Sequence, residues 1–217
     1  MNLATLRAKA LRHDLQVEDI LRAAKESMPG LADELDRLTT ECSWTDGSPT
    51  PHGRVIPFRR WASAASSYAR SGYPGLLSLV SADPANLPFV LALLTELYTP
   101  EAVAVALVVA APVLSSPLAD LPRSIEVAAN FNLLLSFPPY IPTDAEQRTL
   151  IREFLHRTLA APLCAAQRAT VLCALRGVGN LDSLRLISAG APLPDPWLGL
   201  EATVRRALKK RLKQAWA

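Results

Sequence analysis

The sequence predicts an all-α chain of stacked antiparallel helix pairs, an α-solenoid, and three observations carry that expectation. Leu94, Leu135 and Leu175 each close an apolar helical stretch and lead through a Pro- or Gly-marked break into another, at spacings of 41 and 40 residues. Every strong boundary reads as a helix cap, and no alternating strand or Asn-Gly hairpin interrupts the pattern. Leu and Ala dominate while aromatics make up only 6% of 217 residues, and Leu and Ala lose little side-chain entropy in a helix. An amphipathic pair cannot bury its apolar stripe alone, so successive pairs must share a core.

In chain order, residues 1–41 read as an N-terminal helical cap. Its helices run from Leu3 to about Arg12, Gln16 to Met28 and Leu31 to about Thr40, with Val17, Ile20, Leu21 and Ala24 at helical spacing in the second. Residues 42–57 form a Pro/Gly-rich loop in which Asp46-Gly47, Ser48-Pro49, Pro51, Gly53 and Pro57 oppose regular helix. Residues 58–217 hold the repeats and continue the same single domain. Helices are expected over Phe58–Arg70, Tyr73–Val80 and Pro84–Leu97, then from Pro100 to about Ala111. Asp83-Pro84 and Thr99-Pro100-Glu101 supply a capping acceptor followed by a residue that needs no donor. Further helices are expected from Leu118 to Ser136 with a disturbance at Pro122, and from Asp144 to Leu159 behind a Thr143/Glu146 capping box. The last three run from Leu163 to Arg176, Leu181 to Ser188 and Trp197 to Lys213.

A two-helix period of about 40 residues is that of HEAT and armadillo arrays. The segment Ala174-Leu175-Arg176-Gly177-Val178-Gly179-Asn180-Leu181-Asp182-Ser183-Leu184-Arg185-Leu186-Ile187 resembles the inter-helix turn of HEAT repeats, where one helix ends at Gly and an Asn or Asp caps the next. Trp44, His52-Gly53 with Val55, the run Ala62-Ser63-Ala64-Ala65 and Leu76-Leu77-Ser78-Leu79-Val80 resemble the opening of a group of bacterial HEAT-like proteins. The resemblance spans residues 44–213 and implies a HEAT/armadillo-like α-solenoid with a role as an immunity or interaction protein. Thr99-Pro100-Glu101 and Pro138-Pro139 depart from the Asp and Arg usual in such turns, which makes the middle repeat irregular.

Charge is unevenly spread behind the net value of +3. Residues 83–142 hold five acids against one base, whereas 177–217 hold seven bases against three acids. The basic run Arg205, Arg206, Lys209, Lys210, Arg211 and Lys213 falls on the last helix, where it either keeps a terminal repeat soluble or holds phosphates. Cys42, Cys164 and Cys173 form no Cys-x-x-Cys pattern, and the first residues lack a secretory apolar core, so a reduced, cytoplasmic protein is expected. The uncharged stretch 102–119 is broken by Pro112 and Pro117 and is expected to be a buried helix, not a membrane span.

No nucleophile, paired-carboxylate or metal-ligand signature is found, and neither a cofactor nor a metal site is expected. Gly177-Val178-Gly179 lacks the strand and Lys-Ser/Thr ending of a phosphate loop. His156 with Glu153 is the one conceivable acid–base pair, and a solvated helix face explains it more simply. The preferred reading is a non-enzymatic protein-binding solenoid and, as the resemblance to the bacterial HEAT-like group implies, an immunity protein that neutralises a bacterial toxin. Its expected contacts are the aromatics Trp44 and Tyr140 and the acids Glu96, Glu101, Asp120 and Glu126. The alternative is a nucleic-acid-binding or DNA-repair protein using the basic C-terminal helix.

Overall fold

Capping chemistry starts most of the helices close to where apolar periodicity predicts them. Asn2, Thr99 and Asp120 each accept a hydrogen bond from the backbone N–H three residues on, at 2.8, 3.1 and 3.1 Å. The computed structural model describes residues 1–44, 48–49, 55–190 and 192–214. Those residues are all-α apart from the two-residue strands Ser48–Pro49 and Val55–Ile56, which pair antiparallel within the expected 42–57 loop. The Asp46-Gly47 turn and the His52-Gly53 pair read from the sequence lie outside the described residues.

Two compact units divide the chain, Met1–Leu97 and Tyr98–Ala217. The boundary falls at the Thr99-Pro100 corner and not at the change of composition near residue 42. The first unit contains α1 (Leu3–Leu11), α2 (Val17–Lys25), α3 (Leu31–Glu41), α4 (Phe58–Ala82), a 3-10 turn (Pro84–Asn86) and α5 (Leu87–Leu97). Helix α4 is its hub, packing on α2, α3 and α5. Leu6, Ile20, Leu35, Leu38, Leu76 and Leu94 are fully buried there. The two expected helices 58–70 and 73–80 are the two halves of α4, broken at Gly72 (φ 61°, ψ −146°), a conformation that glycine adopts without a Cβ clash. The buried carboxylates are paired with cations: Asp19 with Lys9 at 2.8 Å, Glu34 with Arg7 and Arg37.

The second unit contains α6 (Pro100–Val109), α7 (Ala111–Ser115), α8 (Leu121–Leu135), α9 (Ala145–Leu159), α10 (Ala165–Val178), α11 (Leu181–Ala189) and α12 (Leu200–Gln214). Helix α10 packs on α8 and on α12, α9 packs on both α8 and α10, and α11 on α12. Phe131 of α8 and Phe154 of α9 meet edge to face with ring centroids 6.4 Å apart. Gly177 is inside α10, not in the turn after it. A Cβ there would lie 2.7 Å from Leu135 Cβ, so the close approach of α8 to α10 requires glycine.

Three boundaries differ from expectation for local reasons. Pro122 stands in the first turn of α8, where its missing N–H costs nothing, so it starts that helix and does not disturb it. The α9 capping box is Asp144/Gln147, one residue beyond Thr143/Glu146: Asp144 accepts from Gln147 N at 2.7 Å and Gln147 Oε1 from Asp144 N at 3.2 Å. The uncharged stretch 102–119 becomes two short helices, and no described helix is long and apolar enough to cross a membrane. Leu94 lies in the first unit while Leu135 and Leu175 lie in the second; all three are buried.

Candidate anion-binding cleft

The second unit holds a cleft of about 910 Å³ between the end of α8, the Pro-rich break after it, α9, the end of α10 and α12. Five cations line it: Arg148 and Arg152 from α9, Arg176 from α10, Lys210 and Arg211 from α12. No carboxylate lines it among the described residues, and none of the five forms an ion pair with a described carboxylate. Helix geometry brings Arg148 and Arg152 together, since residues four apart share a face. The stacking of α10 between α8 and α12 adds the other three.

Part of this charge is used by the carbonyl end of α10. Arg211 donates to the carbonyls of Arg176 and Gly179, and Arg152 Nη1 donates to Val178 O at 3.4 Å. Cations at a helix C-terminus complement its roughly half-unit negative charge, which leaves most of the five positive charges unmatched by groups among the described residues. Burial, and then the like charges of Arg148 and Arg152, hold the Arg211 guanidinium below its usual pKa, with Tyr140 opposing. Each guanidinium carries five N–H donors. Among the described residues, protein acceptors take one bond from Arg148 (Thr143 O, 2.8 Å) and two from Arg152, the second to Thr149 Oγ1 at 3.0 Å. Arg176 donates to Cys173 O and Asn132 Oδ1, both at 3.4 Å, and its guanidinium carbon lies 5.0 Å from the Phe137 ring centroid. Donors and charge in excess of acceptors, in a concave space, suit an anion.

Tyr140 is the one sequence-named aromatic in this cleft, and it is 69% exposed. Its segment is held on both sides. Tyr98 Oη donates to Phe137 O at 2.7 Å, Ile141 is buried, and Arg148 holds Thr143 O.

The other sequence-named residues go elsewhere. Trp44 is buried (7% exposed) and stacks on Phe58 at 5.4 Å, so it is a core residue and not an exposed anchor, because the start of α4 covers it. Glu96 pairs with Lys25 at 3.3 Å in the first unit, Asp120 caps α8, and Glu126 lies 3.8 Å from Arg123. Burial, reinforced by Asp120, raises the Glu126 carboxyl above its usual pKa, with Arg123 opposing. Glu101 is an exposed first-turn acid of α6. The basic run of α12 splits. Arg205 turns to Glu201 and to Ile187 O at 3.2 Å, Arg206 and Lys209 are exposed beside Trp197 and Leu198, Lys213 is exposed, and only Lys210 and Arg211 reach the cleft.

His156 does not partner Glu153; its Nε2 lies 2.7 Å from Ser183 Oγ, and Ser183 is fully buried. Among the described residues no group of three or more His, Cys, Asp or Glu side chains is placed to hold a metal. The Arg148/Arg152/Arg176 contribution was missed by sequence reading; the i, i+4 pair on α9 was the one visible signal, and it pointed outward to solvent as readily as inward. No family model, no curated protein and no solved structure matches the chain.

Proposed function

We propose that this protein is a non-enzymatic binding protein whose second unit recognises a phosphate-bearing or otherwise polyanionic ligand. The observation that carries the reading is the convergence of Arg148, Arg152, Arg176, Lys210 and Arg211 on one cleft lined by no described carboxylate. Charge-assisted hydrogen bonds to guanidinium are among the stronger polar contacts, and concave walls focus the field. The row α8–α10–α12, backed by α9 and α11, supports a short HEAT-like stack as the scaffold. A toxin-neutralising role through the acids of residues 83–142 has less support, because Glu96, Asp120 and Glu126 are each engaged locally and Trp44 is buried.

Calorimetric titration with inorganic triphosphate at low ionic strength tests the reading. The wild type is expected to bind, and Arg148→Gln/Lys210→Gln to bind at least ~10-fold more weakly, since a hydrogen bond to a charged group contributes roughly 1.5–3 kcal/mol. Affinity should fall as salt rises. Absence of binding at low salt, or equal binding by the double variant, would overturn the proposal.

A further inference from the structure

We infer that the ligand of the basic cleft is a compact polyphosphate carrying an aromatic base, a nucleoside di- or triphosphate, and not an extended nucleic-acid strand; this rests on the anion-binding reading above. Three features of the cleft lead there.

The first is the arrangement of charge. Single strands are held by cations that track along a groove. Here the five cations come from three helices onto one space of about 910 Å³, within the range of small-molecule sites. The remaining basic residues of α12 do not extend the cluster: Arg205 is committed to Glu201, and Arg206 and Lys209 lie around a different hollow with Trp197. A ligand with several negative charges on adjacent phosphates matches that convergence.

The second is the donor set. Arg148 uses one of its five N–H groups on described protein acceptors and Arg176 two, so both keep donors for phosphate oxygens while Arg152 and Arg211 also brace the end of α10. With no carboxylate in the described lining, phosphate charge is met by guanidinium and ammonium groups.

The third is Tyr140. An aromatic ring 69% exposed at the wall of a cationic cleft is a stacking surface for a base. Its segment is pre-positioned by the Tyr98–Phe137 hydrogen bond, the packing of Arg176 over Phe137, the burial of Ile141 and the Arg148–Thr143 bond. Two of those braces, Arg148 and Arg176, are themselves phosphate-binding candidates. Base and phosphate recognition are thereby coupled through one short segment.

The test compares adenosine and guanosine triphosphates with inorganic triphosphate on the full chain by calorimetry, without added divalent metal. It is repeated with Tyr140→Ala and Tyr140→Phe, and with a single-stranded oligonucleotide as competitor. The nucleoside triphosphate should bind at least ~5-fold tighter than inorganic triphosphate, the least that stacking of one base on an aromatic ring confers. Tyr140→Ala should abolish that advantage, bringing the nucleoside triphosphate and inorganic triphosphate to equal affinity, and Tyr140→Phe should retain it. Equal affinities for the two ligands, with triphosphate still bound, would overturn this inference and leave the anion-binding reading standing. Binding of neither would overturn both. An oligonucleotide that binds more tightly than the nucleoside triphosphate, and is not displaced by it, would assign the cleft to a strand and overturn the inference.

Discussion

His156 shows how burial changes what a residue pair means. A histidine nitrogen 2.7 Å from a serine hydroxyl has the spacing of an activated nucleophile, yet Ser183 is fully buried and its Oγ accepts from Asn180 N at 3.0 Å as part of the α11 capping box. The contact joins α9 to the start of α11. Burial, then the charge of Arg152, lowers the imidazole pKa, with Asp182 and Glu153 opposing. Protonation is therefore harder in the folded chain than in the unfolded one. His156 contributes stability above the ordinary histidine value of about 6.5, and that contribution is lost as pH falls through its lower folded value. Urea midpoints measured at pH 7.5 and 5 should fall more for the wild type than for His156→Gln. Equal falls would show that His156 carries none of the pH dependence.

At the scale of elements, the decisive contact is that of α8 with α10. Gly177 has Leu135 Cβ and Leu135 O each 2.7 Å from where a Cβ would stand, so Gly177→Ala must push two helices apart. Overpacking of this kind costs about 1–3 kcal/mol, and a denaturant midpoint should register it; an unchanged midpoint would mean that α8 and α10 pack less closely than described. The same residue marks where sequence reading succeeded and where it stopped. Helix starts were legible where the cap is local and unambiguous: Thr99 and Asn180 each satisfy the N–H three residues on. The end of α10 was not, since glycine signals a turn by local propensity and only the neighbouring α8 reveals its packing use. The cap of α9 was read one residue early: Asp144, not Thr143, accepts from the backbone N–H three residues on, at 2.7 Å. The cleft itself was half-legible. Lys210, Arg211 and Tyr140 were named from the sequence, whereas Arg148, Arg152 and Arg176 join them only because α9 and α10 fold against α12.

For the whole molecule, the relevant division is between the two units and not between a cap and an array. Every residue lining the basic cleft lies between Leu135 and Leu212, inside the unit that begins at Tyr98. Residues 143–217 hold twelve bases against six acids, so the charge excess belongs to the part of the chain that carries the cleft. Binding should therefore be a property of the second unit. A chain comprising residues 98–217, if its circular dichroism is helical, should bind inorganic triphosphate within about threefold of the full protein. Linkage supplies a second readout, because a ligand held only by the folded form stabilises it by RT ln(1 + [L]/Kd), about 2.7 kcal/mol at a hundredfold excess over Kd. In the full chain that stabilisation should raise the unfolding temperature of the second unit and leave any separate transition of the first unit in place. A helical 98–217 chain that binds more than ~10-fold more weakly would show that residues outside the second unit complete the site. A ligand-induced rise in a transition of the first unit alone would move the anion site off Arg148, Arg152, Arg176, Lys210 and Arg211 altogether.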